Sequence, residues 1–241
     1  DKIKELEKIA KISKNFKIPK IRSVKKNQQG LLVYELEFVP GESLDVCLYN
    51  MNSKKIKFFA KKLGQIINEL SAKIVVNKLE ENFFILKKFN ELDLELNKKK
   101  DSTGIGKELF NEYSEKIKKL KIKESDLANE GTFCHGDLAL DNILITKRNE
   151  IYLIDPLFND FESVMWDYAK ILQSSMTYWN LIKYQNFQLI PNYKKIIIAP
   201  NEHISMFHKH FLKNLRDVNP STILLYLAAT LARVAKYAKT D

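Results

Sequence analysis

Residues 135–155 leave the backbone few options. His135-Gly-Asp-Leu-Ala-Leu-Asp-Asn142 runs into the apolar triplet Ile143-Leu-Ile145. The polar break Lys147-Arg-Asn-Glu150 follows, and a second apolar run, Ile151-Tyr-Leu-Ile154, ends on Asp155. Two short apolar runs around a polar break predict a β-hairpin. Such a hairpin delivers Asp155 beside Asn142 and leaves Asp137 on a short loop just before the first strand. An amide and a carboxylate side by side are hard oxygen ligands of the kind magnesium prefers. Asp137 can accept a proton. Phosphoryl transfer asks for that set: an aimed hydroxyl, an acceptor for its proton, and a cation to neutralise the phosphates.

An isolated His-x-Asp on a loop is ordinarily a turn with a capping carboxylate. The strand context and the second acid at the hairpin end are what point to a site. The spacing Asp-x-x-x-x-Asn after a His resembles the catalytic loop of the kinase superfamily, with Gly136 in place of Arg. Leu153-Ile154-Asp155 and Trp166-Asp167-Tyr168-Ala169-Lys170 complete an ordered trio. In this Gly form the trio resembles the aminoglycoside phosphotransferase and choline kinase family, whose substrates are small molecules.

The resemblance implies an α+β, protein-kinase-like fold of two lobes, with a truncated small β lobe and a mainly helical C-terminal lobe. Residues 1–40 would be the remnant of the first lobe and 41–241 the second. It implies ATP and Mg²⁺ as cofactors, Asp137 as the catalytic base, and Asn142 and Asp155 as metal ligands. His135 would support the loop from beneath, and Asp167 would anchor it. Leu36-Glu-Phe-Val-Pro-Gly-Glu-Ser-Leu44 resembles the family's hinge. Adenine would be read there by the backbone of Glu37 and Val39, with Leu144 as the pocket floor.

Residues 2–14 space Ile3, Leu6, Ile9 and Ile12 at nearly helical intervals, which predicts an amphipathic opening helix. Lys20–Val24 and Leu31–Val39 read as a strand pair around Asn27-Gln-Gln-Gly30. Pro40-Gly41 breaks the second strand, and a mostly helical remainder follows. Within the resemblance, Glu5 (with Glu7 as competitor) would pair with a phosphate-holding Lys carried on three earlier strands. The chain starts at Asp1 and not at a Met, which favours trimming of those strands as the expectation, with a naturally short family member as the alternative.

Later elements add two decoys. Thr103-Gly-Ile-Gly-Lys107 lacks the phosphate-loop spacing and reads as a connector between helices over 81–96 and 106–120. His203, His208 and His210 would spread around a helix, with no further ligands to complete a zinc site. A last helix is predicted with Asn219 as cap and Pro220 in its first turn, burying Leu224, Leu225, Leu227, Ala228, Leu231 and Val234.

Composition bounds the partners. A chain of 241 residues with 45% hydrophobic and 11% aromatic content has ample material for a core. The net charge of +10 is almost all lysine, and Arg22, Arg148, Arg216 and Arg233 are the only arginines. The lysines are scattered among acids, unlike a nucleic-acid footprint. They suit long-range attraction of a nucleotide or an anionic acceptor. Two cysteines, Cys47 and Cys134, match no disulfide framework or metal spacing. The most apolar run, Ile223–Ala232, is too short for a membrane span. A cytoplasmic protein with no membrane or nucleic-acid partner is expected.

The acceptor is less constrained. Asp155-Pro-Leu-Phe-Asn159 lacks the acid or aromatic that follows the metal Asp in choline kinases, and a quaternary ammonium needs an aromatic cage. The continuation through Trp166-Asp-Tyr-Ala-Lys, Tyr178 and Trp179 resembles phosphotransferase-like proteins of bacterial surface-polysaccharide pathways. Trp166, Tyr178 and Trp179 can stack on an acceptor or pack in the core. The expected function is therefore an ATP- and Mg²⁺-dependent phosphotransferase acting on a hydroxyl of an amino alcohol, sugar or related metabolite. The alternative is a catalytically silent kinase-like module that binds nucleotide or a partner. A protein kinase is disfavoured, since no D-F-G and A-P-E pair brackets an activation segment.

Overall fold

The opening helix forms over Lys2–Ile12 (α1), and the following connector folds back on the predicted hairpin. Lys17 donates its amide to the Ile151 carbonyl at 2.8 Å and accepts from the Leu153 amide at 2.9 Å. The computed structural model describes residues 2–76, 80–98, 112, 115–116, 119, 121–123, 127, 131–183, 188–190, 195–199, 201–215 and 218–234. The connector Thr103–Lys107 and nearly all of the helix expected over 106–120 lie outside them.

The first strand pair is β1 (Ile21–Lys26) and β2 (Leu32–Leu36), antiparallel, closed by a turn at Asn27–Gly30. Asn27 Oδ1 accepts the amides of Gln29 and Leu31, and Gly30 takes the left-handed φ of +78° that the turn demands. The pair is a sheet of its own, and Val24, Leu32 and Val33 on it are exposed.

The hairpin at the centre of the chain is β4 (Ile143–Thr146) with β5 (Ile151–Leu153), in the register Ile143 to Leu153 and Leu144 to Tyr152. A third strand, β3 (Gly41–Ser43), joins its other edge. The sequence reading placed only a break at Pro40-Gly41. The three-residue strand pairs antiparallel with the edge of β4 that β5 leaves open.

The helices are α2 (Leu44–Leu48), α3 (Ser53–Ser71), α4 (Glu81–Lys98), α5 (Met165–Ser175), α6 (Trp179–Lys183), α7 (Glu202–Leu212) and α8 (Pro220–Val234). A last sheet pairs β6 (Gln188–Ile190) with β7 (Lys195–Ile197). Asn52 caps α3 by accepting the Lys55 amide at 3.0 Å. Ile56, Phe59, Leu63, Ile66, Ile67 and Leu70 on one face of α3 are fully buried. Each contributes about 1.5–3 kcal/mol by leaving water. α3 packs on α7, while α8 packs on both α5 and α4. Among the described residues, no helix is long and apolar enough to cross a membrane.

Two expected faces shift. Ile12 is 83% exposed. At 100° per residue it stands about 120° round α1 from Leu6, the buried position. In α8 the buried arc runs through Thr222, Ile223, Tyr226, Leu227, Ala229 and Thr230, and Leu224 is exposed. Leu224 lies about 160° round from Tyr226. Leu225, Ala228 and Leu231 are half-buried at the edges of that arc, because α8 meets two helices and not one. Asn219 does cap this helix, its Oδ1 accepting the Ser221 amide at 2.9 Å.

Candidate active site

The loop before β4 is held from below by one buried carboxylate. Asp167, in the first turn of α5, accepts the amide of His135 on one oxygen and that of Gly136 on the other, each at 2.8 Å. Those bonds dictate the residue at 136. Gly136 has φ +83°, and a Cβ there would sit 2.1 Å from the Leu157 carbonyl oxygen and 2.7 Å from Asn159 Nδ2. Only glycine fits. His135 is fully buried, and burial pushes its pKa down to about 4, so the ring is neutral. Burial pushes Asp167 the other way, up to about 7, against the pull of the two amides.

Asn142 ties the loop to the hairpin. Its Nδ2 donates to the Asp137 carbonyl at 2.8 Å, and its own carbonyl accepts the Ile154 amide at 3.1 Å. The amide nitrogen is thus committed inward, which leaves Oδ1 as the end that can face a cation. Asp155 follows Ile154 directly, is exposed, and has a φ of +54°. Among non-glycine residues, aspartate and asparagine are the types that enter that region most readily. Asn142 Oδ1 and the Asp155 carboxylate are oxygen donors one residue apart across the hairpin end, a set that suits Mg²⁺. No cluster of three or more His, Cys, Asp or Glu side chains among the described residues forms a separate metal site.

Asp137 has a partner that the motif did not disclose. Lys170 Nζ lies 2.7 Å from its Oδ1. Lys170 is on α5, one turn after Asp167, and one turn further on Ser174 Oγ accepts the Leu140 amide at 3.4 Å. One face of α5 therefore holds the whole loop, through residues at i, i+3 and i+7. A second support comes from α1. Lys2 Nζ donates to the Leu157 carbonyl at 2.6 Å and to Glu162 Oε2 at 2.7 Å. Neither contact is legible in the sequence. A lysine on a helix reads as a solvated residue, and the sole available signal was the spacing of Lys170 from Asp167.

The hinge residues are less concentrated. Glu37 lines a cleft of about 540 Å³ with Glu7, Lys11, Lys17, Lys20 and Tyr152. Its amide is taken by the Lys20 carbonyl at 2.9 Å. Leu144 stands directly across β4–β5 from Tyr152, so both emerge on one sheet face. Val39 is buried, and its carbonyl accepts the Gly41 amide in a tight turn. A second cleft, of about 560 Å³, opens between Phe38, Glu42, Lys55 and Lys147. Glu5 is ion-paired with Lys73 and Lys8, and the Lys73 bond foremost holds its carboxyl down at about 2.

The acceptor candidates part company. Trp166 is buried, donates its Nε1 to the Phe161 carbonyl at 3.0 Å, and meets Phe84 and Tyr226 edge-on. It is a core residue, with no face left for an acceptor. Tyr178 is half-buried with its hydroxyl 3.0 Å from Ser205 Oγ, and Trp179 is half-buried at the start of α6. The histidines are dispersed: His203 Nδ1 bonds the Leu48 carbonyl, and His208 Nδ1 lies 3.1 Å from Ser175 Oγ.

Residues 2–185 match the sequence model of the phosphotransferase enzyme family. The chain belongs to that family. Its fold is protein-kinase-like and α+β. It is similar to the AMP-bound complex of spectinomycin phosphotransferase at a TM-score of 0.57 and 15% identity, over 98% of this chain and 74% of that one. Aminoglycoside 2'-phosphotransferase-IIIa in its GDP complex gives 0.49 at 16% identity, over 97% and 81%. Plasmodium vivax ethanolamine kinase gives 0.45 at 17%, over 98% and 62%. No curated protein matches the chain. Within the phosphotransferase family match lie the loop, the hairpin and all of α5, including Lys170.

Proposed function

We propose that the chain is an ATP- and Mg²⁺-dependent phosphotransferase that moves the γ-phosphoryl group to a hydroxyl of a small molecule. One observation carries the reading: Asn142 bonds the Asp137 carbonyl with its side chain and the Ile154 amide with its main chain, which draws the backbone at 137, 142 and 155 together. Asp137 accepts the proton of the acceptor hydroxyl. Asn142 Oδ1 and Asp155 hold Mg²⁺, which when bound neutralises charge on the phosphates. Neutral His135 and buried Asp167 keep the loop in shape and do not enter the reaction. Glu37, Val39 and Leu144 belong to the adenine side of the same reading. The pairing of β3 with β4, and not with β2, supports dividing the chain near residue 40.

The acceptor class is an amino alcohol, a sugar or a related metabolite. The test is an ATP-consumption screen over amino alcohols, sugars and nucleosides, repeated with Asp137→Asn. The substitution should cut turnover by roughly 10²–10⁴ if Asp137 is the general base, with nucleotide affinity little altered. Nucleotide binding without turnover on any acceptor would favour the silent-module reading instead.

A further inference from the structure

The reading above leaves Lys170 without a task, although its placement is costly. Lysine is among the residue types least often buried. Here the residue is only 8% exposed, on a helix whose residues from Trp166 to Ser175 are all buried. Its Nζ reaches the carboxylate assigned as proton acceptor, at 2.7 Å. The contact is ionic and lies outside hydrogen-bond alignment. The side chains of Lys170 and Asp137 retain 11% and 26% exposure, so the pair is partly accessible.

We propose that Lys170 is a further catalytic residue, which aims Asp137 and places a positive charge against the transferring phosphoryl group. The proposal rests on the phosphotransferase reading. An ammonium carries three N–H donors. The ion pair with Asp137 can persist while one of these N–H groups meets a phosphoryl oxygen of the bound nucleotide. The acceptor oxygen bonds to Pγ as its proton passes to Asp137. The Pγ–O bond to the β-phosphate breaks, and its electron pair leaves on ADP. Lys170 keeps its protons throughout and stabilises charge spread over the transferred group. The fold supports this use of the side chain. Asp167 and Ser174 lock the same face of α5 to the loop, so the Lys170 backbone is fixed relative to Asp137.

The test uses the full chain with Lys170→Met and Lys170→Arg beside Asp137→Asn. Turnover of Mg-ATP is read with the best acceptor from the screen. Binding of Mg-ADP, with and without aluminium fluoride as a mimic of the transferring group, is read by calorimetry. Lys170→Met should lower turnover by roughly 10²–10³. It should weaken the aluminium fluoride complex by a like factor and leave Mg-ADP binding nearly unchanged. Lys170→Arg should recover part of both losses. Adding Lys170→Met to Asp137→Asn should cost less than the product of the single effects, since the two act together.

Unchanged analogue binding in Lys170→Met, with a lowered melting temperature alone, overturns the proposal and leaves Lys170 a structural residue. If Lys170→Met does not fold, Lys170→Arg decides: full turnover in that variant, despite a displaced cation, also overturns it. Full turnover in Asp137→Asn would instead remove the phosphotransferase reading itself. An inactive Asp137→Asn beside a fully active Lys170→Met removes this inference alone.

Discussion

Asp167 accepts the main-chain amide of His135 at 2.8 Å, and the two buried side chains titrate in opposite directions. Burial lifts Asp167 from 3.8 to about 7 and lowers His135 from 6.5 to about 4. The folded protein therefore binds the Asp167 proton more firmly than the unfolded chain does. That contribution is present at low pH and is lost as pH rises to about 7. For His135 the folded state refuses the proton, so its contribution is present above 6.5 and is lost as pH falls to about 4. Between those values the slopes oppose each other. Asp167→Asn removes the first slope, so the variant should lose stability more steeply than the parent as pH falls from 6.5 to 4. Urea midpoints across that range check it, and equal slopes would contradict it.

Gly136→Ala tests the loop's backbone. The residue has φ +83°, and the added methyl would meet the Leu157 carbonyl at 2.1 Å. Left-handed strain alone costs about 1–3 kcal/mol, and displacement of the segment carrying Asp155 adds to it. We expect a lowered melting temperature together with loss of turnover. A variant that is destabilised yet fully active would show that the loop and the segment carrying Asp155 are not coupled through this contact.

The local elements of the candidate site are legible in the sequence. The β4–β5 hairpin, the loop at Asp137 and the cap at Asn219 are local, and their signals sit within a few residues of one another. β3 was not legible, because three residues carry almost no period and their partner strand lies a hundred residues away. The Lys170–Asp137 pair was hidden for a related reason. Its two halves are joined only when α5 docks under the loop, and the stripe Asp167, Lys170 and Ser174 reads in sequence as a solvated face although α5 is buried all round. Trp166 was ambiguous in sequence, since an aromatic that stacks on ligand and one that packs between Phe84 and Tyr226 have the same local pattern. Leu224 belongs to the same apolar run as its buried neighbours, so nothing in the sequence marks it as the exposed position.

Lys2→Met probes the link between α1 and the loop after Asp155. The Lys2–Glu162 pair is 7% and 12% exposed, and removing the cation leaves a carboxylate beside Cys134 Sγ. We expect a loss of about 3 kcal/mol, the low end for breaking a buried pair. The Asn159 amide still bonds Glu162 Oε1 at 2.9 Å and softens the loss. Lys2→Met with Glu162→Gln should be less damaging than the sum of the two alone. Additive effects in a double-mutant cycle, read by urea denaturation, would show that the pair is not coupled.

Asp155→Asn separates metal binding from folding. Asp155 is exposed, and its φ of +54° lies where asparagine is as much at ease as aspartate. The backbone should therefore keep its path, with stability within about 0.5 kcal/mol of the parent. In the proposed Mg²⁺ site the change would remove one negative oxygen ligand and leave Asn142 Oδ1 in place. The Mg²⁺ concentration for half-maximal activity should rise by at least about tenfold, equivalent to 1.4 kcal/mol of binding. Asn142→Ala should behave differently, because it also deletes the bond to the Asp137 carbonyl and so lowers melting temperature and metal affinity together. A Mg²⁺ titration beside a melting curve distinguishes the two variants. An unaltered Mg²⁺ requirement in Asp155→Asn would take that carboxylate out of the metal site.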